Sequence, residues 1–268
     1  KPLAKRFAEA VELQSLAESQ KLTLMVGHLL LYHPAVNKLK KLIQSGELGQ
    51  INYINSDRVI DKQRNIQENS EDPSARVLYA LALVSTTEQI PKRIRHQAHS
   101  FFEQSFRKNI TFSSPRAIAF YIKALNCLLS KWKDPETLAV LRYYCEQLMA
   151  LYEKSHSPDW EWFEHYLTYS NAILPEALLL GYKITGERRY LEVSKKTLNF
   201  LISHTFKNGM YIPIGQSGWF PKRGTRQYFD QQPEDTTATV EALDAMFQVT
   251  NRKHYRQLAH IAFNWFLG

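Results

Sequence analysis

Two stretches of the chain concentrate the residue types that bind or process sugars. The first, Asp159 to Leu179, reads DWEWFEHYLTYSNAILPEALL. Aromatic rings pack on the apolar faces of sugars, while carboxylates accept hydrogen bonds from hydroxyls or act as acid and base. We therefore predict Glu161 and Glu164 as catalytic residues. The substrate-binding residues predicted in this stretch are Asp159, Trp160, Trp162, Tyr169 and Asn171.

The second stretch, Tyr211 to Ala238, reads YIPIGQSGWFPKRGTRQYFDQQPEDTTA. Its glycines at 215, 218 and 224 would let a long loop fold back over the mouth of a helical ring. Asp230, which precedes Gln-Gln-Pro, is predicted as a catalytic residue. Trp219, Gln231 and Gln232 are predicted to bind substrate, and Glu234 and Asp235 follow them.

Each of these residues also has a structural alternative. Trp160 and Trp162 fit a buried core as well as a sugar platform, and Asp159 fits an N-cap of a helix that follows Pro158. Glu161 and Glu164 would share a helix face, so that one carboxylate raises the pKa of the other, or they would be surface or ion-paired residues. A glycosidase needs two carboxylates about 5 to 9 Å apart, which the sequence cannot place.

The element that must position these stretches is a repeat at an offset of 65 residues. Residues 176–201 and 241–266 align without a gap, and six identities include Glu176 with Glu241 and Tyr190 with Tyr255. Each copy reads as helix, polar turn, helix, which predicts an α-helical repeat. Helical hairpins are predicted at 74–106, 116–153, 170–205 and 236–267. The irregular spacing, and the polar residues in the connections 154–169 and 206–235, favour part of an (α/α) toroid over a solenoid.

Residues 72–268 resemble the helical C-terminal domain of certain bacterial glycosyltransferases, which is similar in fold to six-hairpin glycosidases. The matching motifs are Asp159-Trp160-x-Trp162-Phe163-Glu164, Leu167-Thr168-Tyr169-x-Asn171-Ala172, Pro213-Ile214-Gly215, Gly218-Trp219, Asp230-Gln231-Gln232-Pro233 and Trp265-Phe266-Leu267-Gly268. The resemblance implies a toroid that handles carbohydrate in glycosyl transfer or polysaccharide metabolism. A complete six-hairpin ring has more helices than this segment predicts, so association with another chain is expected.

Residues 1–60 have a different pattern, helix, strand, helix, strand, with helices at Lys5 to Gln20 and Pro34 to Ser45 and strands at Leu22 to Val26 and 51–60. Residues 61–72, with one apolar side chain in twelve, predict a linker to the domain at 73–268. The segment resembles a fragment of the Gfo/Idh/MocA oxidoreductases in Lys1-Pro2, Tyr32-His33-Pro34 and Gly46 to Gly49. The resemblance implies that Lys1 lies near an NAD(P) nicotinamide, although the glycine-rich phosphate loop of that family has no counterpart here.

The composition narrows the possible partners, cofactors and cellular location of the protein. The net charge of +8 comes from 34 basic and 26 acidic residues in short dispersed groups, which predicts no nucleic-acid partner. The chain shows no spanning apolar run and no signal peptide, and its two cysteines suit a cytoplasmic protein. No metal is predicted, since His165, His204 and His254 lack ligand spacing. We therefore expect a carbohydrate or nucleotide-sugar ligand and no cofactor. The alternatives are a truncated NAD(P)-dependent oxidoreductase and a non-catalytic helical scaffold.

Overall fold

The computed structural model describes residues 7–24, 71–106 and 111–267, together with residues 37, 40, 41, 44 and 45. The chain divides into two compact units, residues 1–60 and 61–268. Across the described residues the protein is mainly α-helical, and its strands are two residues long. The mainly α fold predicted from the sequence is therefore confirmed.

In the first unit, helix α1 spans Phe7–Ser19 and confirms the first predicted helix. The described positions between Pro34 and Ser45 include helical residues, such as Lys40 and Gln44. The strand predicted to start at Leu22 is wrong over its described part, because Leu22 and Leu24 are exposed and pair with no described strand. The other features predicted in this unit lie outside the described residues: Lys1, Met25 and Val26 of that strand, the motifs at 32–34 and 46–49, and the strand at 51–60.

The described residues of the second unit form four helical hairpins in chain order, as predicted. Their helices are α2 (Glu71–Thr86) with α3 (Lys92–Phe106), α4 (Pro115–Lys131) with α5 (Pro135–Ser155), α6 (Ile173–Thr185) with α7 (Arg188–Thr205), and α8 (Pro233–Thr250) with α9 (Lys253–Asn264). The linker predicted at 61–72 is too long, because its last two residues form the first turn of α2. Its remaining residues, 61–70, lie outside the described part.

Identical residues in the 65-residue repeat make identical helix ends. The hydroxyls of Thr185 and Thr250 each donate to the carbonyl four residues earlier, at 2.8 and 2.7 Å. Each then accepts a hydrogen bond from the backbone N–H two residues further on. The residue between is left-handed in both copies, Gly186 with φ 71° and Asn251 with φ 54°, and these two residue types adopt that conformation most readily.

The repeated tyrosines join successive hairpins. Tyr190 and Tyr255 are each 1% exposed. The Tyr190 hydroxyl donates to Glu146 of α5 at 2.6 Å, and the Tyr255 hydroxyl donates to Asn199 of α7 at 3.2 Å. The second helix of each of these hairpins is thus anchored to the second helix of the hairpin before it, which is the neighbour-to-neighbour contact expected of a repeat.

The first helices of the hairpins form an inner layer. They pack against one another in the order α2, α4, α6, α8, and each also packs against the second helix of its own hairpin. Residues 116–125 of α4 and 173–181 of α6 are buried without interruption, as expected for helices with neighbours on every side. Their N-terminal turns therefore hold any polar group in a largely desolvated position.

A buried ion triad joins three of these inner helices. The Lys123 ammonium of α4 donates to Glu176 of α6 at 2.7 Å and to Glu241 of α8 at 2.6 Å. The Lys123 and Glu176 side chains are 4% and 7% exposed, and that of Glu241 is 47% exposed. Burial alone would lower the pKa of Lys123, but Glu176, Tyr79 and Glu241 raise it above its ordinary value, so the ammonium stays charged.

The two long connections contact each other. Strand β1 (Tyr166–Leu167) pairs antiparallel with β4 (Phe220–Pro221), and β2 (Phe206–Lys207) pairs with β3 (Met210–Tyr211). The backbone N–H of Lys222 also donates to the carbonyl of His165 at 2.7 Å. The segment between α7 and α8 is therefore held over the segment between α5 and α6, in agreement with a loop that folds back.

Gly215 is the position where that loop tolerates no side chain. A Cβ atom there would lie 2.3 Å from the Phe229 carbonyl oxygen and 2.6 Å from its backbone nitrogen. Gly215→Ala is expected to lower the free energy of unfolding by about 1–3 kcal/mol, the usual cost of overpacking. Urea denaturation measures the loss, with Ser217→Ala, exposed two positions further on, expected to be neutral. Equal stability of the two variants would contradict this packing.

Candidate functional site

A buried polar region of the second unit lies where three inner helices begin. The first turns of α2, α4 and α8 meet the segment that leads into α6. We call this region the helix-end cluster, and its members are Asp72, Arg76, Arg116, Glu164, Tyr169, Ser170, Asn171, Glu234 and Asp235. Helix N-termini present unpaired backbone N–H groups and favour negative charge, which suits the four carboxylates of the cluster.

Arg116 is the centre of the cluster. Its side chain is 4% exposed, and its guanidinium donates to the Glu164 carboxylate at 2.8 Å and to the Tyr169 carbonyl at 2.7 Å. A third contact, at 3.4 Å, reaches the side-chain oxygen of Asn171. Burial alone would lower the pKa of Arg116, but the Glu164 carboxylate outweighs it and raises the pKa. Arg116 therefore fixes the loop before α6 through one permanent positive charge.

Asp72 orders the opposite side of the cluster. It accepts hydrogen bonds from the Tyr169 hydroxyl at 2.6 Å and from the Ser114 hydroxyl at 2.8 Å. Burial, together with the bond to Asp72, raises the pKa of the Tyr169 hydroxyl above its ordinary value. The neighbouring Glu71 accepts from the backbone N–H groups of Ser113 and Ser114 at 2.6 and 2.8 Å, so it caps the start of α4. The first turn of α2 therefore holds α4 in place.

Asp235 is the cluster member with the most unusual environment. It is 3% exposed, and burial together with the neighbouring Glu234 raises its pKa to about 7, against opposing effects of Gln216, Arg116 and the Ser170 backbone. Its Oδ2 atom has no hydrogen-bond partner among the described residues. A carboxyl group with such a pKa holds a proton at neutral pH in a substantial fraction of molecules, and perturbed groups of this kind concentrate at functional sites.

The solvent side of the cluster is formed by Arg76 and Glu234, and both contact Ser170, which is 2% exposed. The Ser170 hydroxyl donates to Glu234 at 2.8 Å, and the Arg76 guanidinium lies 3.5 Å from the same carboxylate. The Arg76 and Glu234 side chains are 37% and 42% exposed, whereas Asp235, the residue after Glu234, is buried. Ser170 has a φ of 46°, a conformation uncommon outside glycine and enriched at functional sites.

No protein-family model and no curated protein matches the chain. Both family resemblances therefore stay predictions, and the chemistry of the helix-end cluster rests on its own contacts.

Three of the predicted site residues belong to the cluster: Glu164, Tyr169 and Asn171. Asn171 is buried and accepts from the Thr168 backbone N–H at 2.9 Å, while its amide donates to the Thr168 carbonyl at 2.7 Å. It therefore shapes the loop. Glu164 forms an ion pair with Arg116, and Glu161 is bound by Tyr152 instead. Glu164 thus positions the guanidinium, and its catalytic role stays a prediction.

Trp160 and Trp162 take the core alternative, and their prediction as an exposed sugar platform is wrong. They are 3% and 0% exposed. The Trp160 ring meets Phe200 and Phe220 edge-on, and its indole N–H donates to the Glu164 carbonyl at 2.6 Å. The helix predicted after Pro158 is also absent, because residues 158–172 form turns, bends and strand β1.

Asp159 and Glu161 lie on that irregular segment with other partners. Asp159 accepts from the Ser157 hydroxyl at 2.7 Å, which holds its pKa below the ordinary value, so it caps no helix. Glu161 accepts from the Tyr152 hydroxyl, whereas Glu164 faces Arg116. The helix face predicted for Glu161 and Glu164 does not exist, since no helix passes through them.

The residues predicted on the second connection are more exposed. The Asp230 carboxylate is exposed and accepts from the Gln232 amide at 2.9 Å. Gln231 accepts from the Trp265 indole at 2.8 Å. The Asp230 backbone carbonyl accepts from the N–H of Gln216 at 3.1 Å, and Gln216 in turn contacts Asp235. The loop thus reaches the cluster through Gln216, which carried no sequence signal, rather than through Asp230.

Trp219 retains the geometry of an aromatic platform. Its ring is half-buried and stacks on Tyr166 with centroids 6.3 Å apart. Burial, and then the Glu164 charge, raises the pKa of Tyr166, which places this ring pair beside the helix-end cluster. The Trp219 indole N–H has no partner among the described residues. An aromatic ring pair and an unpaired indole donor therefore lie on the Glu164 side of the cluster.

The remaining sequence predictions concern a cofactor, a metal ion and a membrane span. Lys1, the residue predicted for NAD(P), lies outside the described residues. In the described part of the chain, no three His, Cys, Asp or Glu side chains are grouped to hold a metal ion. No helix in that part is both long and apolar enough to cross a membrane.

Proposed function

We propose that the second unit is part of an (α/α) toroid that binds and processes a carbohydrate at the helix-end cluster. The packing of successive first helices in one layer supports this arrangement. So does the convergence of polar side chains at one end of that layer. The metabolic context proposed for this toroid is bacterial glycosyl transfer or polysaccharide metabolism, as expected from the sequence.

The observation that carries the proposal is the carboxyl group of Asp235. A general acid works best with a pKa near the operating pH, and the pKa of Asp235 is about 7. In its protonated form it can donate to a glycosidic or hydroxyl oxygen. The partly exposed Arg76 and Glu234 offer a donor and an acceptor to sugar hydroxyls, and the Tyr166–Trp219 ring pair offers an apolar face.

Separate measurements of turnover and of ligand binding distinguish the proposed enzyme from a non-catalytic scaffold and from an oxidoreductase. Asp235→Asn keeps a side chain of nearly the same shape but cannot carry the proton. We expect it to bind an oligosaccharide within a few-fold of wild type and to lose turnover about 10²–10⁴-fold, the usual contribution of a general acid. Asp244→Asn changes an exposed carboxylate of the same helix and is expected to leave both unchanged.

The measurement begins with a thermal-shift screen of wild type against oligosaccharides, nucleotide sugars and NAD(P)H, because bound ligand raises stability. Product formation is then assayed with any carbohydrate that stabilises the protein. Stabilisation without turnover by wild type would favour the non-catalytic scaffold. Stabilisation by NAD(P)H alone would contradict the proposal and favour the oxidoreductase, whose predicted cofactor residue lies outside the described part.

A further inference from the structure

A recess in the surface lies at the opposite end of the inner helices from the helix-end cluster. It consists of two cavities, of about 360 and 460 Å³, which share His99 and Trp132 in their walls. Trp132 follows the last residue of α4, and Arg116 lies in the first turn of the same helix. Sixteen residues of helix span about 24 Å, so the two sites are separate.

The smaller cavity is basic. None of the described residues in its wall is acidic, and its cationic and imidazole side chains are Lys92, Arg95, His96, His99 and Lys131. The Nε atom of Arg95 and the Nδ1 atom of His99 are buried and have no hydrogen-bond partner among the described residues. Buried donors are nearly always paired, and guanidinium groups bind phosphate oxygens particularly well.

Lys131 is partly engaged already. It donates to the Thr86 carbonyl at 3.3 Å and lies 3.6 Å from the exposed Glu88 carboxylate. The positive charge of the cavity therefore comes mainly from Lys92 and Arg95, on successive turns of α3.

The larger cavity has a different chemistry. The Trp132 indole is 39% exposed and lies against the His99 ring, with centroids 4.9 Å apart. Glu103, Asp134 and Glu136 add carboxylate oxygens to the same wall, and that of Asp134 already accepts from the Thr137 backbone N–H. An aromatic face bordered by acceptors suits a sugar ring, while the adjoining basic cavity suits an anion.

We propose that this recess is a binding site for a phosphorylated sugar, with the phosphate on Arg95 and Lys92 and the sugar ring against Trp132. This second site is independent of the function proposed for the helix-end cluster. It needs no proton transfer and involves none of the cluster residues.

Calorimetric titration of the whole chain with glucose 1-phosphate, inorganic phosphate and glucose tests the proposal. We expect the sugar phosphate to bind more tightly than either fragment. Arg95→Gln should weaken its binding about 10-fold or more, the value of a charge-assisted hydrogen bond. Arg93→Gln is the matched control, because Arg93 contacts Gln97 and lies outside both cavity walls. Its affinity should stay within twofold of wild type.

Two further variants make the assignment specific. Trp132→Leu is expected to weaken glucose 1-phosphate much more than inorganic phosphate, since the sugar ring packs on the indole whereas the phosphate is held by Lys92 and Arg95. Asp235→Asn should bind the sugar phosphate as wild type does, even if the function proposed for the cluster is wrong. Should Arg95→Gln fail to fold, Lys92→Gln replaces it with the same expected loss.

Several outcomes would overturn the proposal. Wild type that binds neither glucose 1-phosphate nor inorganic phosphate at millimolar concentration has no such site. Equal losses in Arg93→Gln and Arg95→Gln would indicate attraction to the overall charge of α3. Tighter binding of inorganic phosphate than of the sugar phosphate would remove the sugar from the assignment.

Discussion

Lys123→Met is expected to lower the free energy of unfolding by about 3–5 kcal/mol, because removing one partner of a buried ion pair strands the other charge. The stranded charge is the Glu176 carboxylate, whose side chain is 7% exposed. Methionine preserves the apolar stem of the lysine and fills similar space, so the loss reports the charge rather than a cavity. Urea denaturation at neutral pH measures it.

Two variants distinguish this effect from a general sensitivity of α4. Glu241→Gln removes the half-exposed carboxylate of the triad and should cost less than about 1 kcal/mol, as for other exposed pairs. Lys123→Met combined with Glu176→Gln leaves no uncompensated buried charge, since the remaining Glu241 is half-exposed, and should recover a large part of the loss. If the double variant is less stable than the sum of the single changes implies, the triad is not the cause.

The stability deficit of Lys123→Met is also expected to depend on pH. Burial already raises the pKa of Glu176, and loss of the Lys123 charge raises it further. The folded state of Lys123→Met then binds a proton more tightly than the unfolded chain, so its deficit relative to wild type should shrink as pH falls. The deficit is fully present above the folded-state pKa of Glu176. A deficit independent of pH would contradict this explanation.

The repeat made part of this fold predictable from the sequence. Four hairpins follow from helical periodicity and from polar turns, both of which are local properties. The equivalence of Glu176 and Glu241 was visible in the alignment of the two copies, and both side chains do reach one partner. That partner was not predictable, because Lys123 lies in α4, outside the 65-residue repeat.

The candidate site was less predictable because burial, rather than residue type, decides the chemistry of an acidic or aromatic side chain. Trp160 and Trp162 have the composition of a sugar platform, but Phe200 and Phe220, from distant parts of the chain, enclose the Trp160 ring. In the sequence, Asp235 is the second of two acidic residues that follow Pro233, and this pattern does not predict its burial. Its pKa is raised by burial and by the neighbouring Glu234, which together outweigh the opposing effects of Gln216, Arg116 and the Ser170 backbone on three separate segments.

Asp230 and Asp235 are five residues apart, and burial again distinguishes two residues of the same type. Asp230 precedes the Gln-Gln-Pro motif and was predicted as catalytic, yet its carboxylate is exposed to water. Asp235 lies in the first turn of α8, where the helix turns its side chain toward the inner layer. The distinction depends on the orientation of α8 relative to α4 and α6, and no local pattern encodes that orientation.

Between about pH 4 and pH 7, wild type is expected to lose up to about 4 kcal/mol of stability relative to Asp235→Asn. The pKa of Asp235 is raised from 3.8 in an exposed carboxyl to about 7 in the folded protein. The folded state therefore binds a proton that the unfolded state has released in this range. Since stability falls with pH wherever the folded state binds more protons, this contribution is complete below about pH 4 and is lost as pH rises through about 7.

The difference between the two unfolding curves isolates Asp235 from the other carboxylates, because those titrate in both proteins. Asparagine carries no charge at any pH, so Asp235→Asn should be the more stable protein at about pH 8 and should approach wild type at about pH 4. Asp244→Asn, exposed on the same helix, should follow wild type throughout. Parallel curves for wild type and Asp235→Asn would place the pKa near its ordinary value. Asp235 would then be ionised at neutral pH, and it could accept hydrogen bonds from a sugar but could not supply the proton on which the proposed processing depends.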